Sequence, residues 1–452
     1  MTPIERKSAF SLAFIFMLRM VGLFMILPVF ALYAEQLPTA TPAAVGLAIG
    51  IYGLTQAVLQ MPFGILSDRI GRKPMIIIGL IIFAIGSVLA ATAHTIEGVI
   101  LGRAVQGAGA ISATVMALAA DLSREEHRLK VMAVIGASIG VSFSFSLIAG
   151  PVLNGWVGVP GIFWITAVLA LLGIAVVQFW VPNPVESKFH RDAEPELAQL
   201  KTLLRDGQLL RLNFGIFSLH LILTATFVSV PVALRDAAGL PQDKHWLVYL
   251  FVMLTAIVAM VPAIIYAEKR RRLKPVFVAA VALIMISQWA MATAYHSLFW
   301  VVTILLTFFI AFNVLEASLP SLVAKLAPPD KKGSAMGLYS SSQFFGAFVG
   351  GAVGGWLHGA AGLGAVFVFC GLVAGAWLLL AVTMRNPRYL SSFLLKVGPV
   401  SESEARNLSV QLTGVRGVAE AVVVPEDGVA YLKVDNHALD KDALNKFAFQ
   451  QA

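Results

Sequence analysis

Gly64-Ile65-Leu66-Ser67-Asp68-Arg69-Ile70-Gly71-Arg72-Lys73-Pro74 lies between two long apolar runs. Its residues suit a tight junction between two helices that leave and re-enter a membrane. Gly64 permits close helix approach. Asp68 places a negative charge near a helix end, where it needs a cation or a helix N-terminus. Gly71 permits a sharp turn. Arg72 and Lys73 hold the loop at the face where basic residues collect.

Composition supports this reading over the whole chain. Of 452 residues, 58% are hydrophobic and 13% charged, about half the charge density of a soluble domain. The net charge of +8 would suggest nucleic-acid binding in a soluble protein. Here the basic residues fall between apolar segments, so membrane orientation explains them and no nucleic-acid partner is expected. Arg6 and Lys7 before an apolar stretch mimic a signal peptide. That stretch runs to Tyr33 without a small-residue cleavage site, which predicts a retained first helix. The single cysteine, Cys370, excludes an internal disulfide or a cysteine cluster for metal.

A helix needs about 20 apolar residues to cross a bilayer. Such segments fall near 10–33, 43–66, 75–93, 97–119, 131–154, 160–181, 211–234, 246–267, 274–294, 298–321, 333–357 and 362–384, and predict twelve spans. Lys and Arg fill the even-numbered connections, while the odd-numbered ones hold only Arg235 and Lys244. By the positive-inside rule both termini are cytoplasmic. The predicted fold is an all-α membrane bundle of twelve transmembrane helices in two pseudo-symmetric six-helix halves, with a small C-terminal α+β domain.

The expected boundaries are 1–181 and 211–387 for the halves, 182–210 for a cytoplasmic linker and 388–452 for the last domain. Pro182, Asn183 and Pro184 stop a helix; 196–210 mixes apolar and charged residues and suits either a surface helix or a solvated linker. Leu390–Val397, Val418–Val424 and Val429–Val434 read as strands, and Ser401–Leu412 as a helix with Ser401 and Glu404 in a capping box. Asp440–Phe447 reads as a second helix. The order βαββα predicts a ferredoxin-like domain without room for a full last strand.

The halves repeat: Pro62 to Asp68 and Pro262 to Glu268 are offset by 200 residues, and each precedes a basic run. Repeats of this kind accompany alternating access, in which one half rocks against the other.

The segment from Gly64 resembles the cytoplasmic signature of the major facilitator superfamily, G-x-L-x-D-R-x-G-R-[KR], at Gly64, Leu66, Asp68, Arg69, Gly71, Arg72 and Lys73. The resemblance covers Phe10 to Met384. It implies that this motif holds the halves together in the outward-open state and releases them on switching, with Asp121 and Arg128 completing a charge cluster around Arg72 and Asp68. A topological anchor is the plainer role. Arg103-Ala104-Val105-Gln106-Gly107 resembles the R-x-x-Q-G motif of proton-coupled members, which implies a part for Arg103 and Gln106 in coupling. An arginine bonded to backbone carbonyls is the structural alternative. Gly150-Pro151-Val152-Leu153-Asn154-Gly155 partly resembles the antiporter signature G-x-x-x-G-P-x-x-G-G, with Ser146 and Asn154 replacing glycines. Gly136 and Gly140 upstream keep close packing open on that face. The Phe312 to Pro320 segment and the appended domain resemble proton-driven, drug-efflux-like inner-membrane members of the superfamily.

Ionisable residues inside membrane helices are functional candidates by default. They are Arg19, Arg103, His220 and Glu316, and the resemblance places their helices around a central cavity. Glu316 can bind and release a proton and His220 titrates near neutral pH. Arg19 is a candidate counter-charge, and Asn313 lies one turn before Glu316. The expected function is proton-coupled export of small amphipathic compounds. A nutrient symporter and a membrane sensor working through the C-terminal domain are the alternatives. The implied partners are a small-molecule substrate, protons and the lipid bilayer, with regulation, self-association or ion sensing open to the C-terminal domain. No P-loop is present, so a proton gradient and no cofactor is the expected drive, and no enzymatic constellation stands out.

Overall fold

The computed structural model describes residues 1–183, 201–328, 331–386, 390–398, 400–425, 428–435 and 438–448. The first half contains α1 (Pro3–Phe24), α2 (Leu27–Ala34), α3 (Pro42–Ile70), α4 (Arg72–Thr92), α5 (Ile96–Ala108), α6 (Ser112–Asp121) and α7 (Glu125–Phe179). The second contains α8 (Gly207–Val232), α9 (His245–Lys269), α10 (Leu273–Ala294), α11 (Leu298–Leu326), α12 (Lys332–Ala361) and α13 (Leu363–Val382).

Side-chain caps start many of these helices. Thr2 makes a capping box with Glu5 ahead of Pro3, and Thr41 accepts from the Ala44 amide ahead of Pro42. Asp206 caps α8 by accepting from the amides of Gln208 and Leu209. Proline at the first helical position forfeits no intrahelical bond. Gly71 both ends α3 and caps α4 at φ +101°, a conformation costly for any side chain.

Among the described residues, ten helical stretches are long and apolar enough to cross a membrane, against the twelve segments expected. Two differences account for this. The fifth and sixth expected segments form the single run α7, interrupted at Gly158 with φ +66°. The eleventh, α12, is rich in Gly and Ser and is not among the ten. Its small residues meet neighbouring backbones rather than lipid, so it does not need the same hydropathy. Large apolar side chains such as Trp156, Phe179 and Leu379 are exposed, as expected for a surface facing lipid. The chain carries the helices of a multi-pass membrane protein.

The halves meet closely on the face of the odd-numbered connections. Arg235 Nη1 donates to Glu35 Oε2 at 2.8 Å. Below this pair α3 and α12 touch backbone to backbone. A methyl group built on Gly46 would stand 2.2 Å from the Gly351 carbonyl oxygen, and one on Gly53 2.4 Å from that of Phe344. The other side of α12 touches α8: methyls on Gly346 and Gly350 would stand 2.1 and 2.2 Å from the carbonyl oxygens of Phe217 and Leu221. The helix is thus wedged between α3 of the first half and α8 of its own half.

Most of the linker expected to hold a surface helix lies outside the described residues; 201–203 are helical and Leu203 is buried. After α13 come β1 (Ser391–Lys396), α14 (Glu402–Thr413), β2 (Val418–Val424), β3 (Val429–Val434) and α15 (Lys441–Asn445). The sheet order is β1-β3-β2, antiparallel throughout, with Phe393 opposite Leu432 and Ala421 opposite the same residue. Ser401 and Glu404 make the expected capping box, whose bonds hold the Glu404 carboxyl below its usual range. The domain docks on the second half. Lys433 Nζ donates to the Lys325 carbonyl oxygen at 2.9 Å, and Arg271 Nη2 lies 3.8 Å from Asp435 Oδ1.

Candidate functional site

The cytoplasmic junction is a compact charge cluster. Arg72, 3% exposed, pairs with Asp68 four residues before it, and its Nε lies 3.4 Å from Asp121 Oδ2. Its Nη1 also donates to Ser67 Oγ at 2.7 Å, and that hydroxyl donates to the Gly64 carbonyl. The arginine therefore ties the end of α3 to the end of α6. Lys73 Nζ reaches across to the Val181 carbonyl oxygen and Asn183 Oδ1 at 2.9 and 2.8 Å. Arg128 is buried at the start of α7, whereas Arg69 is exposed. Next to this cluster, Arg124 Nε donates to buried Glu5 Oε1 at 3.0 Å.

The four ionisable residues inside the helices separate into two groups, one in each half. Arg19 and Arg103 are both 1% exposed. Arg19 donates to Tyr52 Oη at 2.7 Å, to Gln56 Oε1 and to Ser112 Oγ at 3.2 Å. Arg103 donates to Gln106 Oε1 and to the Ala48 carbonyl oxygen, and its guanidinium lies 4.9 Å from the centre of the Tyr52 ring. Gln106 Nε2 donates to Ser87 Oγ at 2.8 Å. Neutral oxygens and ring faces thus surround both cations. Arg19, a candidate counter-charge, makes its hydrogen bonds within the first half.

The second group joins α8, α11 and α12. Gln343 Nε2 lies 2.8 Å from His220 Nε2 and donates to Glu316 Oε1 at 3.3 Å. His220 Nε2 stands 3.9 Å from Glu316 Oε2. Tyr339, one turn before Gln343, is a buried phenol. Asn313 is half-buried on α11, and its Nδ2 has no hydrogen-bond partner among the described residues. Rings surround this group: Phe312 lies 6.0 Å from His220 and 5.6 Å from Phe143 of α7.

Sequence reasoning missed Tyr52, Gln56, Ser112, Tyr339 and Gln343. The available signal was neutral polarity: Tyr52, Gln56 and Gln60 lie four residues apart along one face of α3, and the Gln56 amide donates to Gln60. On α7, a methyl at Gly150 would stand 2.2 Å from the Met25 carbonyl oxygen, at the break between α1 and α2. Pro151 is buried beside it. Ser146 donates to the Val21 carbonyl oxygen at 3.3 Å. Gly136, Gly140 and Gly155 have nothing within 4 Å of an added methyl, so the close packing expected along that face is confined to Gly150.

The family model for the Major Facilitator Superfamily matches residues 12–351 and again 270–411. The inner membrane transport protein YajR of Escherichia coli K12 is 45% identical over 452 residues, covering 100% of this chain and 98% of that protein. The multidrug resistance protein MdtH of Proteus mirabilis is 28% identical over 358 residues, covering 76% and 84%. The crystal structure of a bacterial homologue of the human lysosomal transporter Spinster, inward-facing and occupied, superposes with a TM-score of 0.71 at 13% identity. It covers 85% of this chain and 98% of that one, a likeness of fold.

Proposed function

The chain belongs to the major facilitator superfamily, and from that premise we propose that it is a proton-coupled exporter of small amphipathic compounds. The observation that carries the reading is Glu316. Its carboxyl is far from either helix end, its side chain is 30% exposed, and its neighbours are a histidine and an amide rather than an arginine or lysine. A carboxyl kept in that setting without a cation has a proton as its natural partner. Phe309 and Phe312 on the same helix, packed with Phe143 and buried here, give the surroundings an apolar character that suits an amphipathic cargo. The name of the MdtH relative agrees with drug-like cargo.

The finer architecture follows the same reading. Joining α1 to α2 and α5 to α6, dividing α7 at Gly158 and counting α12 gives twelve spans. The β1-β3-β2 order fits a ferredoxin-like domain lacking its last strand. The contacts from Glu35–Arg235 down to Gly53–Phe344 read as a seal on the extracytoplasmic face, in a state that opens to the cytoplasm.

The test is proton flux. Purified protein in vesicles holding a pH-sensitive dye is given a panel of amphipathic drugs under an imposed proton gradient. Drug-dependent flux that disappears in Glu316→Gln is expected. Flux unchanged in Glu316→Gln and in His220→Ala would overturn the assignment.

A further inference from the structure

We propose that Gln343 is a positioning residue that transmits the protonation state of the His220–Glu316 pair to the seam between the halves. The inference rests on the reading of that pair as the proton site. The groups facing it are His220 from α8, Glu316 from α11, and Tyr339 and Gln343 from α12.

An amide nitrogen carries two hydrogens and no acceptor capacity. Here both hydrogens have a target: His220 Nε2 at 2.8 Å and Glu316 Oε1 at 3.3 Å. The two bonds coexist only while His220 Nε2 has no proton and Glu316 Oε1 offers a lone pair. Turning the amide over would aim its oxygen at an acceptor nitrogen and a carboxylate, an arrangement that electrostatics reject. A proton on one of those atoms leaves either amide orientation with one matched and one mismatched contact, and donors at both atoms reverse the preference. Proton binding therefore breaks the match of Gln343 to the pair, and a buried mismatch would cost a lost hydrogen bond.

The next residue along α12 carries the change across the molecule. The Phe344 ring lies 6.4 Å from Tyr52, whose hydroxyl accepts from Arg19 and whose ring lies under Arg103. Its carbonyl oxygen is the atom against Gly53 of α3. Two residues on, on the other side of the helix, Gly346 sits against the Phe217 backbone of α8. A helix held by backbone contact on both sides has little slack, so a pull on α12 from the lost hydrogen bond would be passed to the packed seam. Adjacent residues of one helix thus join the carboxyl–histidine pair of the second half to the arginine group of the first.

The experiment uses full-length protein in nanodiscs with spin labels at Lys130→Cys and Arg270→Cys, exposed positions on the cytoplasmic side of opposite halves. The inter-label distance is followed from mildly alkaline to mildly acidic buffer, and the carboxyl infrared band assigned by its loss in Glu316→Gln is followed in parallel. In the parent, band and distance should titrate together. In Gln343→Leu, and in Gln343→Met should the leucine variant melt early, the band should still titrate while the distance change is lost. A distance change of parental size in both variants would overturn the role of Gln343. A parent with neither a Glu316 band nor a distance change would overturn the proton-site reading, and this inference with it.

Discussion

Gly351→Ala tests whether the α3–α12 contact governs which face is open. A methyl at Gly351 would meet the Gly46 carbonyl oxygen at 2.5 Å and the Gly50 nitrogen and Cα at 2.8 and 2.9 Å. Ordinary carbon contacts lie at about 3.5–4.0 Å, so each is roughly 1 Å short. All three obstacles are backbone atoms and cannot rotate away. Overpacking of this kind costs about 1–3 kcal/mol. The cost falls on the state in which the halves are sealed there, whereas the gain of about 1 kcal/mol in helix propensity from Gly to Ala applies to both states and cancels. The balance should therefore move towards opening on the extracytoplasmic face by about 5- to 150-fold. Gly350→Ala supplies the control. Its methyl would stand 2.2 Å from the Leu221 carbonyl oxygen, inside the second half, so it should lower stability without favouring either face. The assay is the distance between labels at Gln36→Cys and Asp243→Cys, exposed in the connections on that face; native Cys370 is buried. A Gly351→Ala protein that melts normally and keeps the parental distance would refute the reasoning, as would an equal shift from Gly350→Ala.

Other perturbations separate strong contacts from weak ones. Arg72→Met leaves the Asp121 carboxylate, fully buried, without this cation, and should cost about 3–5 kcal/mol, read as an early thermal transition in detergent. Asp68→Asn should cost less than Arg72→Met, because the Asp68 side chain is 36% exposed; equal losses would contradict the cluster geometry. Glu35→Gln removes an ion pair whose members are 42% and 34% exposed, and after solvent screening should shift the opening equilibrium by no more than about 1 kcal/mol, an effect that added salt reproduces in the parent. Lys433→Met should raise hydrogen exchange in the last turn of α11, whose Lys325 carbonyl it no longer caps, while amides of the β1–β3 pairing stay protected.

The fold was legible where a physical constraint acts along the chain. Apolar length marks segments, basic loops orient them, and β2 and β3 fall at the residues their alternation and turn residues predict. The count is harder to read where the constraint acts between segments. α12 has the composition of a helix that meets glycine and carbonyl rather than lipid, and only its neighbours explain that. The break in α7 at Gly158, between the expected segments 131–154 and 160–181, rests on a single backbone angle. At the site, charge identified Arg19, Arg103, His220 and Glu316, because an ion in hydrocarbon needs a reason. Charge could not say that they form two groups, since that depends on which neutral side chains intervene. Tyr52 and Gln343 fill that role, and glutamine and tyrosine occur in membrane helices too often to be selected by residue type alone.

The 200-residue repeat gives the asymmetry of the halves a mechanical meaning. Glu35 and Arg235 occupy equivalent positions yet bond to each other, which places them beside the pseudo-twofold axis at the sealed face. At the opposite face the equivalents diverge. Gly71 at φ +101° corresponds to Arg271 at φ +52°, a residue in the left-handed region without glycine's freedom. Asp68 bonds an arginine on the neighbouring helix, whereas Glu268 bonds Lys325 at the end of α11. The extra strain and the altered pairing coincide with the docked C-terminal domain: Arg271 faces Asp435, and Lys433 caps α11 at its Lys325 carbonyl. The first half stabilises its cytoplasmic corner with its own charges, while the second shares that task with an added domain. A movement of the cytoplasmic corner of the second half must therefore either carry the domain along or release it. The Lys325–Lys433 contact is where a displacement of either body would be felt by the other.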